Sequence, residues 1–387
     1  MLIKNLSVMK ILNSNSNFTV QVKLTSERGV FRGSSPAGES NSKYEVDPFK
    51  SEIDDIVSDF NGFLDRLSNK RIDAIDDVYK IEKLLPEKFV GGPSLSLSYA
   101  LVYGLSASLG VEPYSLFGGK NTVLPICKML GGGLHASGLG MDIQEILAVT
   151  IDKSVGDSIT GTLKTYKNLK EMLRSGSHGY SGGVDPEGGF VTGLDNYESL
   201  KIASAAVDKT VKETGLDIRL GIDVAASTFC NDGKYTYTKP IYSKKTLNTG
   251  EQVDLVVRLA KEFNLYYIED PVDQTDIEGY GKVLNATKAL VVGDDVTATK
   301  TERLRLTASS ISAALVKPNQ VGLLHQVKAF SDLADKFKLT KVVSHRSEET
   351  NIPMISDIAI GLGAKYLKVG INRGERVEKI NRLMEIK

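Results

Sequence analysis

The sequence predicts an α/β protein in which a (β/α)8-type barrel follows a smaller α+β domain. Two patterns in the second half of the 387-residue chain predict the barrel: short apolar runs that end in a polar residue, and amphipathic helical patterns between those runs. Strands that alternate with helices indicate a parallel sheet, and many such units at nearly constant spacing favour closure into a barrel. The first part of the chain lacks this alternation. The expected domains are residues 1–120 and residues 121–387.

The N-terminal part combines a strand with three helices. Residues 18–24 alternate apolar and polar side chains, which is the period-2 pattern of a half-buried strand. Between Phe49 and Leu67 apolar residues recur at helical spacing, and a second helical pattern covers residues 75–85. Residues 94–109 are apolar and rich in small side chains, so we expect a helix that is buried on most of its faces. Together these elements predict a compact α+β unit.

The barrel units carry polar residues at comparable positions. Six apolar runs of the second half end in or just before a charged or polar residue: Asp223, Glu269, Asp294, Lys317, His345 and Lys368. From the second of these onward they lie 23 to 28 residues apart, which is the length that a strand, a loop and a helix need. Catalytic side chains of barrel enzymes lie at the C-terminal ends of successive strands. One polar residue after a strand is ordinary loop chemistry, but six in register favour a shared site.

The rim residues separate into acids and bases. Asp223, Glu269 and Asp294 would repel one another unless a cation joins them, and oxygen ligands suit Mg²⁺ better than Zn²⁺. On the other side, Arg346 and Lys368 can hold an anionic substrate, because a guanidinium group grips phosphate or carboxylate with two hydrogen bonds. The sequence therefore predicts a magnesium site beside an anion site.

Lys317 lies between these two groups along the chain. A lysine with an ordinary pKa near 10.4 is a poor base at neutral pH. The positive charges of Mg²⁺ and Lys368 would lower the pKa of Lys317 toward the working range. A metal and a neutral lysine beside an anion site predict removal of a proton next to a carboxylate, with the metal stabilising the enediolate that results.

Several segments resemble the enolase family, the phosphopyruvate hydratases, in order and near the family's spacing. In the second half they are Gly221-Ile-Asp223, Tyr267-Ile-Glu-Asp-Pro271, Val292-Gly-Asp-Asp295, Leu315-Val-Lys-Pro-Asn-Gln-Val-Gly322 and Ser344-His-Arg-Ser347. In the first half they are Ser14-Asn-Ser-Asn-Phe-Thr-Val20, Pro36-Ala-Gly-Glu-Ser40, His135-Ala136, Gln144-Glu145 and Asp185-Pro-Glu-Gly-Gly189. The resemblance covers essentially the whole chain. It implies an enolase-like barrel behind a capping domain that carries a mobile loop.

The resemblance also implies an activity and its catalytic residues. The activity is the reversible, Mg²⁺-dependent dehydration of 2-phosphoglycerate to phosphoenolpyruvate, a hydro-lyase reaction of glycolysis and gluconeogenesis. Lys317 matches the base that removes the C2 proton. Glu187 matches the general acid that assists loss of the C3 hydroxyl, and Glu145 lies beside it. Asp223, Glu269 and Asp294 match the ligands of one Mg²⁺, and Ser40 matches a loop serine that helps to hold a second ion arriving with the substrate.

The expected substrate contacts follow from the same resemblance. Arg346 and Ser347 match the phosphate-binding pair, and His345 lies in the same motif. Lys368 matches the residue that binds the substrate carboxylate, and His135 matches a histidine close to the substrate. The partner is therefore a small phosphorylated carboxylate, and the resemblance suggests a dimer or a larger homo-oligomer.

Charge balance, cysteine usage and apolar runs limit the classes of partner and the cellular compartment that we expect. The 48 Lys and Arg residues balance 48 Asp and Glu residues, so no overall field attracts nucleic acid or an anionic membrane. Cys127 and Cys230 form no pairing motif, which indicates a reducing compartment. The chain start has no signal-peptide core, and no apolar run is long enough to span a bilayer. We expect a cytoplasmic protein.

Departures from the family pattern keep two alternatives open. Glu39 adds a negative charge to the mobile loop, which we expect to weaken phosphate binding or to alter lid closure. One alternative is an enolase-like paralogue that acts on another 2-substituted carboxylate, and the other is a non-catalytic binding or scaffold protein with the same fold. His178 and His325 belong to no motif, so we expect surface or helix residues there.

Overall fold

The computed structural model describes residues 1–39, 41–151, 154–176 and 180–386, apart from the side chain of Ser243. Ser40 and His178, both named above, lie outside these described residues. None of the helices that the described residues form is long and apolar enough to cross a membrane.

The N-terminal part packs an antiparallel sheet against helices. Its strands are β1 (Ile3–Leu12), β2 (Phe18–Ser26) and β3 (Gly29–Ser34), in the order β1-β2-β3, and its helices are α1 (Ile53–Leu64), α2 (Ile75–Lys83) and α3 (Gly92–Leu109). Most residues of α3 are buried, as predicted. Serine hydroxyls of α3 donate hydrogen bonds to carbonyl oxygens of the helix backbone, for example Ser96 Oγ to Gly92 O at 2.8 Å. β3 approaches α3 closely at Gly33, where a Cβ would lie 2.2 Å from Ser96 O.

The second part is a closed eight-stranded barrel. In order around the barrel its strands are β4 (Leu124–Gly131), β5 (Glu145–Thr150), β6 (Ile218–Asp223), β10 (Tyr267–Glu269), β11 (Leu290–Gly293), β12 (Ala313–Val316), β13 (Thr340–Ser344) and β14 (Tyr366–Gly370). A small antiparallel sheet of β7 (Cys230–Asn231), β8 (Lys234–Thr236) and β9 (Thr246–Asn248) follows β6. The predicted barrel is confirmed.

Helices surround the barrel. They are α4 (Val155–Ser175), α5 (Asn196–Thr214), α6 (Thr249–Glu262), α7 (Ile277–Ala286), α8 (Thr301–Thr307), α9 (Leu324–Lys336), α10 (Met354–Gly361) and α11 (Gly374–Glu385). From β10 to β14 each strand is followed by one helix, which is the alternation that the sequence predicted.

The parallel pairing that the sequence predicted is confirmed for the six predicted strand runs, but it does not extend to β5. β5 runs antiparallel to both β4 and β6, whereas the other barrel strands pair in parallel. Parallel neighbours need a crossover that carries the chain back along the sheet, usually as a helix. The segment that joins β4 to β5 contains only the short 3₁₀ turn Gly133–Ala136, so the chain returns in the opposite direction. Two helices, α4 and α5, then lead to β6.

Helix α2 of the N-terminal part contacts the barrel part at the N-terminal end of α9. Glu82 of α2 is buried and accepts hydrogen bonds from the backbone N–H groups of Leu324 at 2.7 Å and His325 at 2.9 Å. His325 Nδ1 lies 2.8 Å from the same carboxylate. The expectation of a helix residue at His325 is confirmed, and its imidazole contacts the N-terminal part of the chain. A carboxylate at a helix N-terminus satisfies free N–H groups and complements the helix dipole.

Candidate active site

The ends of neighbouring barrel strands bring the predicted residues to one rim. Asp223 and Glu269 are the last residues of β6 and β10 and are paired in register. Asp294 and Lys317 directly follow β11 and β12. His345 directly follows β13, and Lys368 lies inside β14, where it pairs with Ser344. Parallel strands end at the same edge of a barrel, which explains why residues so distant in sequence meet.

Glu145 reaches the same rim because its strand is reversed. It is the first residue of β5 and pairs with Asp223 on one side and with Gly131 on the other. The beginning of an antiparallel strand lies where its neighbours end, so the direction of β5 adds a carboxylate to the site.

Two lysines contact the three predicted metal ligands. Lys368 Nζ lies 2.8 Å from Asp223 Oδ2 and 2.7 Å from Glu269 Oε2. Lys317 Nζ forms an ion pair with Asp294, whose other carboxylate oxygen accepts a hydrogen bond from Gln320 Nε2 at 2.9 Å. All three carboxylates and Lys368 are buried, so each charge needs these partners.

Asp270 is a member of the acidic cluster that the sequence analysis missed. Carboxylate oxygens of Glu269, Asp270 and Asp294 lie within 4.8 Å of one another. Asp270 also accepts hydrogen bonds from the Tyr280 hydroxyl at 2.5 Å and from the backbone N–H of Asp294 at 3.1 Å. The paired acids at 269–270 and 294–295 were the available signal, but the sequence does not say which member of each pair faces the site.

The carboxylate set fits a hard divalent cation. Its donors are oxygens only, and Glu269 Oε1 is buried without a hydrogen-bond partner among the described residues. Burial and the neighbouring Asp223 carboxylate raise the pKa of Glu269 well above its usual range. A cation among these oxygens would remove the repulsion that raises the pKa. Oxygen donors of this kind are the ligands that Mg²⁺ prefers.

Glu187 is held on a tight turn opposite the acidic cluster. Asp185 Oδ1 accepts hydrogen bonds from the backbone N–H groups of Glu187 at 2.9 Å and Gly189 at 3.0 Å. Glu187 Oε2 lies 3.4 Å from His135 Nδ1, and Glu187 Oε1 lies 3.8 Å from His345 Nε2. Burial holds the pKa of His345 well below its usual range, so this imidazole is neutral.

Lys128 of β4 is a second residue that the sequence analysis missed. Its Nζ lies 2.7 Å from Asp185 Oδ2, 3.0 Å from Glu187 Oε2 and 2.7 Å from His135 Nδ1, and its side chain is only 1% exposed. A lysine inside the apolar run 123–130 was the available signal. Its burial depends on acids that lie far away in the sequence.

The two glutamates of the site have opposite pKa shifts. Burial raises the pKa of Glu145 to about 8, and Glu187 adds to the rise while Lys368 opposes it. Burial alone would raise the pKa of Glu187 as well, but the Lys128 ammonium opposes burial, and the net shift holds that pKa well below its usual range. Near neutral pH Glu145 therefore holds a proton while Glu187 is ionised.

The environment of Lys317 combines opposing effects. Burial alone lowers its pKa, but the Asp294 carboxylate outweighs burial, and the net shift is upward. Arg346 and Lys368 act in the downward direction that the sequence analysis expected. A cation that neutralises Asp294 would remove the main contribution that raises the pKa of Lys317.

The N-terminal segment 36–45, described except at Ser40, covers the predicted phosphate site. Arg346 Nη1 donates to Glu45 at 2.8 Å, and Nη2 donates to Asn41 at 2.8 Å. Ser347 Oγ accepts a hydrogen bond from the backbone N–H of Glu39 at 2.7 Å. The two residues expected to bind phosphate thus contact this segment, which we call the lid.

Glu39, Glu348 and three asparagines of the segment 13–17 form side-chain hydrogen bonds near the lid. Glu348 accepts hydrogen bonds from the side chains of Asn13 at 2.7 Å and Asn17 at 2.8 Å. Glu39 accepts one from Asn15 at 2.8 Å, and burial raises the pKa of Glu39. The charge of Glu39 is therefore paired with an amide, and its backbone rather than its carboxylate contacts Ser347.

One cavity at this rim collects the predicted residues. Every residue expected to act in catalysis or to bind substrate lines it, together with Asp223, Gln144 and Ser344. The eight predicted residues are Glu187, Lys317, Glu145, His135, Arg346, Ser347, Lys368 and His345. A closed barrel whose rim holds carboxylates, lysines and an arginine around one cavity defines a class, the barrel enzymes of acid–base chemistry with a carboxylate cluster suited to a metal ion.

Comparison with known proteins identifies the family within this class. Residues 121–387 match the family model described as the C-terminal TIM barrel domain of enolase. The chain is 31% identical to the enolase of Methanothermobacter thermautotrophicus, with 100% of this chain and 96% of that protein aligned. It is also 31% identical to the enolase of Thermoplasma acidophilum, with 99% and 98% aligned, and 29% identical to that of Pyrobaculum aerophilum, with 98% and 94% aligned. The chain belongs to the enolase family.

Proposed function

We propose that the protein catalyses the reversible, Mg²⁺-dependent dehydration of 2-phosphoglycerate to phosphoenolpyruvate and is a hydro-lyase. Family membership supports this activity. The observation that carries it is that Lys317 and Glu187, the proposed base and acid, line one cavity together with the cationic groups Arg346 and Lys368. A base, an acid and two anion-binding groups are what elimination from a phosphorylated hydroxy acid requires.

The proposed reaction moves two protons. Lys317 Nζ takes the proton from C2, and the electrons of that C–H bond move into the substrate carboxylate to give an enediolate. In a second step these electrons form the double bond between C2 and C3 as the C3–O bond breaks. Glu145, which holds a proton near neutral pH, passes it to Glu187, and Glu187 donates it to the departing hydroxyl, which leaves as water. In the reverse direction the ionised Glu187 takes a proton from water, the hydroxide that results adds to C3, and the Lys317 ammonium returns the other proton to C2.

The remaining roles concern binding. We propose that Arg346 and Ser347 hold the phosphate, with His345 beside them, and that Lys368 binds the carboxylate. His135 lines the cavity next to Glu187 and is proposed to contact the substrate near C3. These groups would orient the C2–H bond toward Lys317. Such orientation reduces the entropic contribution to the activation free energy of proton removal.

Glu145 is proposed as the proton partner of Glu187. Its pKa of about 8 means that it holds a proton near neutral pH. Both carboxylates contact Lys128, Glu187 at 3.0 Å and Glu145 at 3.8 Å. Carboxyl oxygens of Glu145 and Glu187 lie within 4.8 Å of each other, so a protonated Glu145 is placed to restore the proton that Glu187 loses in each turnover.

Asp223, Glu269 and Asp294 would hold the Mg²⁺ ion, and carboxylate oxygens of Asp270 lie within 4.8 Å of those of Glu269 and Asp294. When bound, Mg²⁺ supplies positive charge that stabilises the negative charge developing on the substrate carboxylate. A second ion that arrives with the substrate, with Ser40 as one ligand, is part of the proposal.

We also propose that residues 1–120 form the capping domain and residues 121–387 the barrel domain. Support for this division is that the enolase barrel match begins at residue 121. A cytoplasmic homo-oligomer, a dimer or larger, is proposed as well. The free cysteines Cys127 and Cys230 support a reducing location.

The test of the activity is formation of phosphoenolpyruvate, followed by its ultraviolet absorbance, with 2-phosphoglycerate and with a panel of other 2-substituted carboxylates. We expect 2-phosphoglycerate to give the highest kcat/KM and a chelator to abolish turnover. Glu39 at the lid favours one other candidate, a paralogue with a different 2-substituted carboxylate as substrate. A higher kcat/KM for another acid would support the paralogue, and no turnover with any acid would support a scaffold role.

A further inference from the structure

Lys128 is a buried cation that the proposed reaction does not use. Its ammonium has the carboxylates of Asp185 and Glu187 and the imidazole of His135 within 3.0 Å, and Glu145 at 3.8 Å. Although burial by itself lowers the pKa of Lys128, the Asp185 and Glu187 carboxylates outweigh it, and the net shift is upward. Lys128 is therefore charged at any pH at which the enzyme works.

The charged Lys128 determines the tautomer of His135. An ammonium group has three N–H donors and no acceptor, so the 2.7 Å contact with Nδ1 requires that Nδ1 accept the hydrogen bond. Nδ1 then carries no proton, and the neutral ring carries its proton on Nε2. A doubly protonated His135 would place a second positive charge against the ammonium. Lys128 thus selects the tautomer of His135 whose Nε2–H is the donor in the cavity wall.

The same ammonium restrains the Glu187 carboxylate and its charge. The turn that carries Glu187 is tied to Lys128 twice, directly through Glu187 Oε2 and through Asp185, which also accepts the backbone N–H of Glu187. When Glu187 donates its proton, the carboxylate that forms lies 3.0 Å from a fixed positive charge. Charge that develops in a transition state is stabilised most by groups already in place and shielded from water.

We propose that Lys128 is a positioning residue for the acid half of the reaction: it orients Glu187, stabilises the anion left after proton donation, and sets the tautomer of His135. The inference rests on the proposed function, in which Glu187 is the general acid. Arg346 is held by Glu45, and Lys368 is held by Asp223 and Glu269. Among the described residues Lys128 shares only Glu145 with Lys368, at the longer distance of 3.8 Å, so we expect little effect of Lys128 on the binding of the substrate phosphate and carboxylate. Its removal should therefore lower kcat and leave KM nearly unchanged.

The test is a double-mutant cycle with a matched control. In Lys128→Met we expect kcat to fall about 10²-fold, with KM within about threefold of wild type, since a displaced general acid loses much of its effect. In a Glu187→Gln background the same substitution should lower kcat by less than about threefold, because residues that act as a unit are not additive. Lys341→Met is the control: Lys341 is also a buried strand lysine paired with an acid, but it lies at the other end of its strand, near Asp335.

The outcomes separate the two proposals. If Glu187→Gln keeps the wild-type kcat, the general acid and the proposed function are wrong. If Glu187→Gln loses activity but Lys128→Met does not, or if the two losses multiply fully, only the role of Lys128 is wrong. An equal loss in Lys341→Met would also contradict it, because the effect would then reflect the removal of any buried lysine.

A spectroscopic measurement on the wild-type enzyme makes the inference independent of how well the variant folds. Long-range ¹H–¹⁵N correlation spectra distinguish the imidazole tautomers, and His135→Gln assigns the His135 signal. We expect Nδ1 of His135 to be unprotonated and Nε2 to be protonated in the ligand-free enzyme. A protonated Nδ1 in the ligand-free enzyme would overturn the inference. In Lys128→Met the tautomer preference should weaken or reverse.

Discussion

Gly38→Ala should weaken phosphate binding through a single methyl group. Gly38 belongs to the lid, and a Cβ at this position would lie 1.8 Å from Arg346 Nη2. Atoms in ordinary contact need about 3.5 Å, so the guanidinium or the lid must move by roughly 1.7 Å. Arg346 is only 3% exposed and is held by Glu45 and Asn319, so it cannot simply swing into solvent.

The size of the effect follows from what the movement breaks. A hydrogen bond to a charged group contributes about 1.5–3 kcal/mol, and each 1.4 kcal/mol is about a tenfold change in affinity. Loss of one such contact between Arg346 and the phosphate should raise KM about 10- to 100-fold. Lys317 and Glu187 are not displaced, so kcat should change by less than about threefold if KM reflects binding.

The assay is steady-state kinetics on 2-phosphoglycerate, together with inhibition by inorganic phosphate, which should weaken by the same factor. Gly62→Ala is the control, because a methyl at this α1 position has nothing within 4 Å. The reasoning is refuted if Gly38→Ala keeps the wild-type KM and phosphate inhibition, or if Gly62→Ala raises KM equally.

Two further predictions concern stability. Glu82→Gln weakens the acceptor of the α9 N–H groups and should reduce the free energy of unfolding by about 1–3 kcal/mol in urea titrations, while a wild-type stability would contradict the structural role of that carboxylate. In chelator-treated protein the free energy of unfolding should fall as pH rises from about 6.5 to about 8. Burial raises the pKa values of Glu145 and Asp295 to about 8, so in this interval the folded protein holds protons that the unfolded chain has lost. Mg²⁺ should offset this fall and Glu145→Gln should make it shallower, whereas stability that rises across this interval in the chelated protein would contradict the assignment.

The sequence predicted the elements of the barrel better than their directions. Strand ends followed by charged residues are a local signal, and the helical patterns between them are regular, so the units from β10 to β14 could be predicted. The direction of β5 could not, because the run Ile146 to Val149 is apolar throughout and reads the same either way. Direction depends on the connection from β4, whose glycine-rich sequence specifies a turn but not the path of the chain.

The site shows a similar limit. Residues at strand ends were found because the barrel rule assigns them a common rim, and the resemblance assigned their roles. Lys128 was missed because lysine is rarely buried, and its burial requires Asp185 and Glu187 to meet it from another segment. The contact of Asn13 with Glu348 was also unpredictable, since it joins residues 335 positions apart. Such pairs follow from the tertiary structure, not from local pattern.

The central claim is that Lys317 removes the C2 proton and Glu187 serves the separate loss of the C3 hydroxyl. The most direct measurement is exchange of the C2 hydrogen of 2-phosphoglycerate with D₂O in the presence of Mg²⁺, followed by proton NMR alongside phosphoenolpyruvate formation. We predict that Glu187→Gln still exchanges the C2 hydrogen but forms almost no phosphoenolpyruvate, whereas Lys317→Ala does neither. Exchange at the wild-type rate in Lys317→Ala would contradict the account.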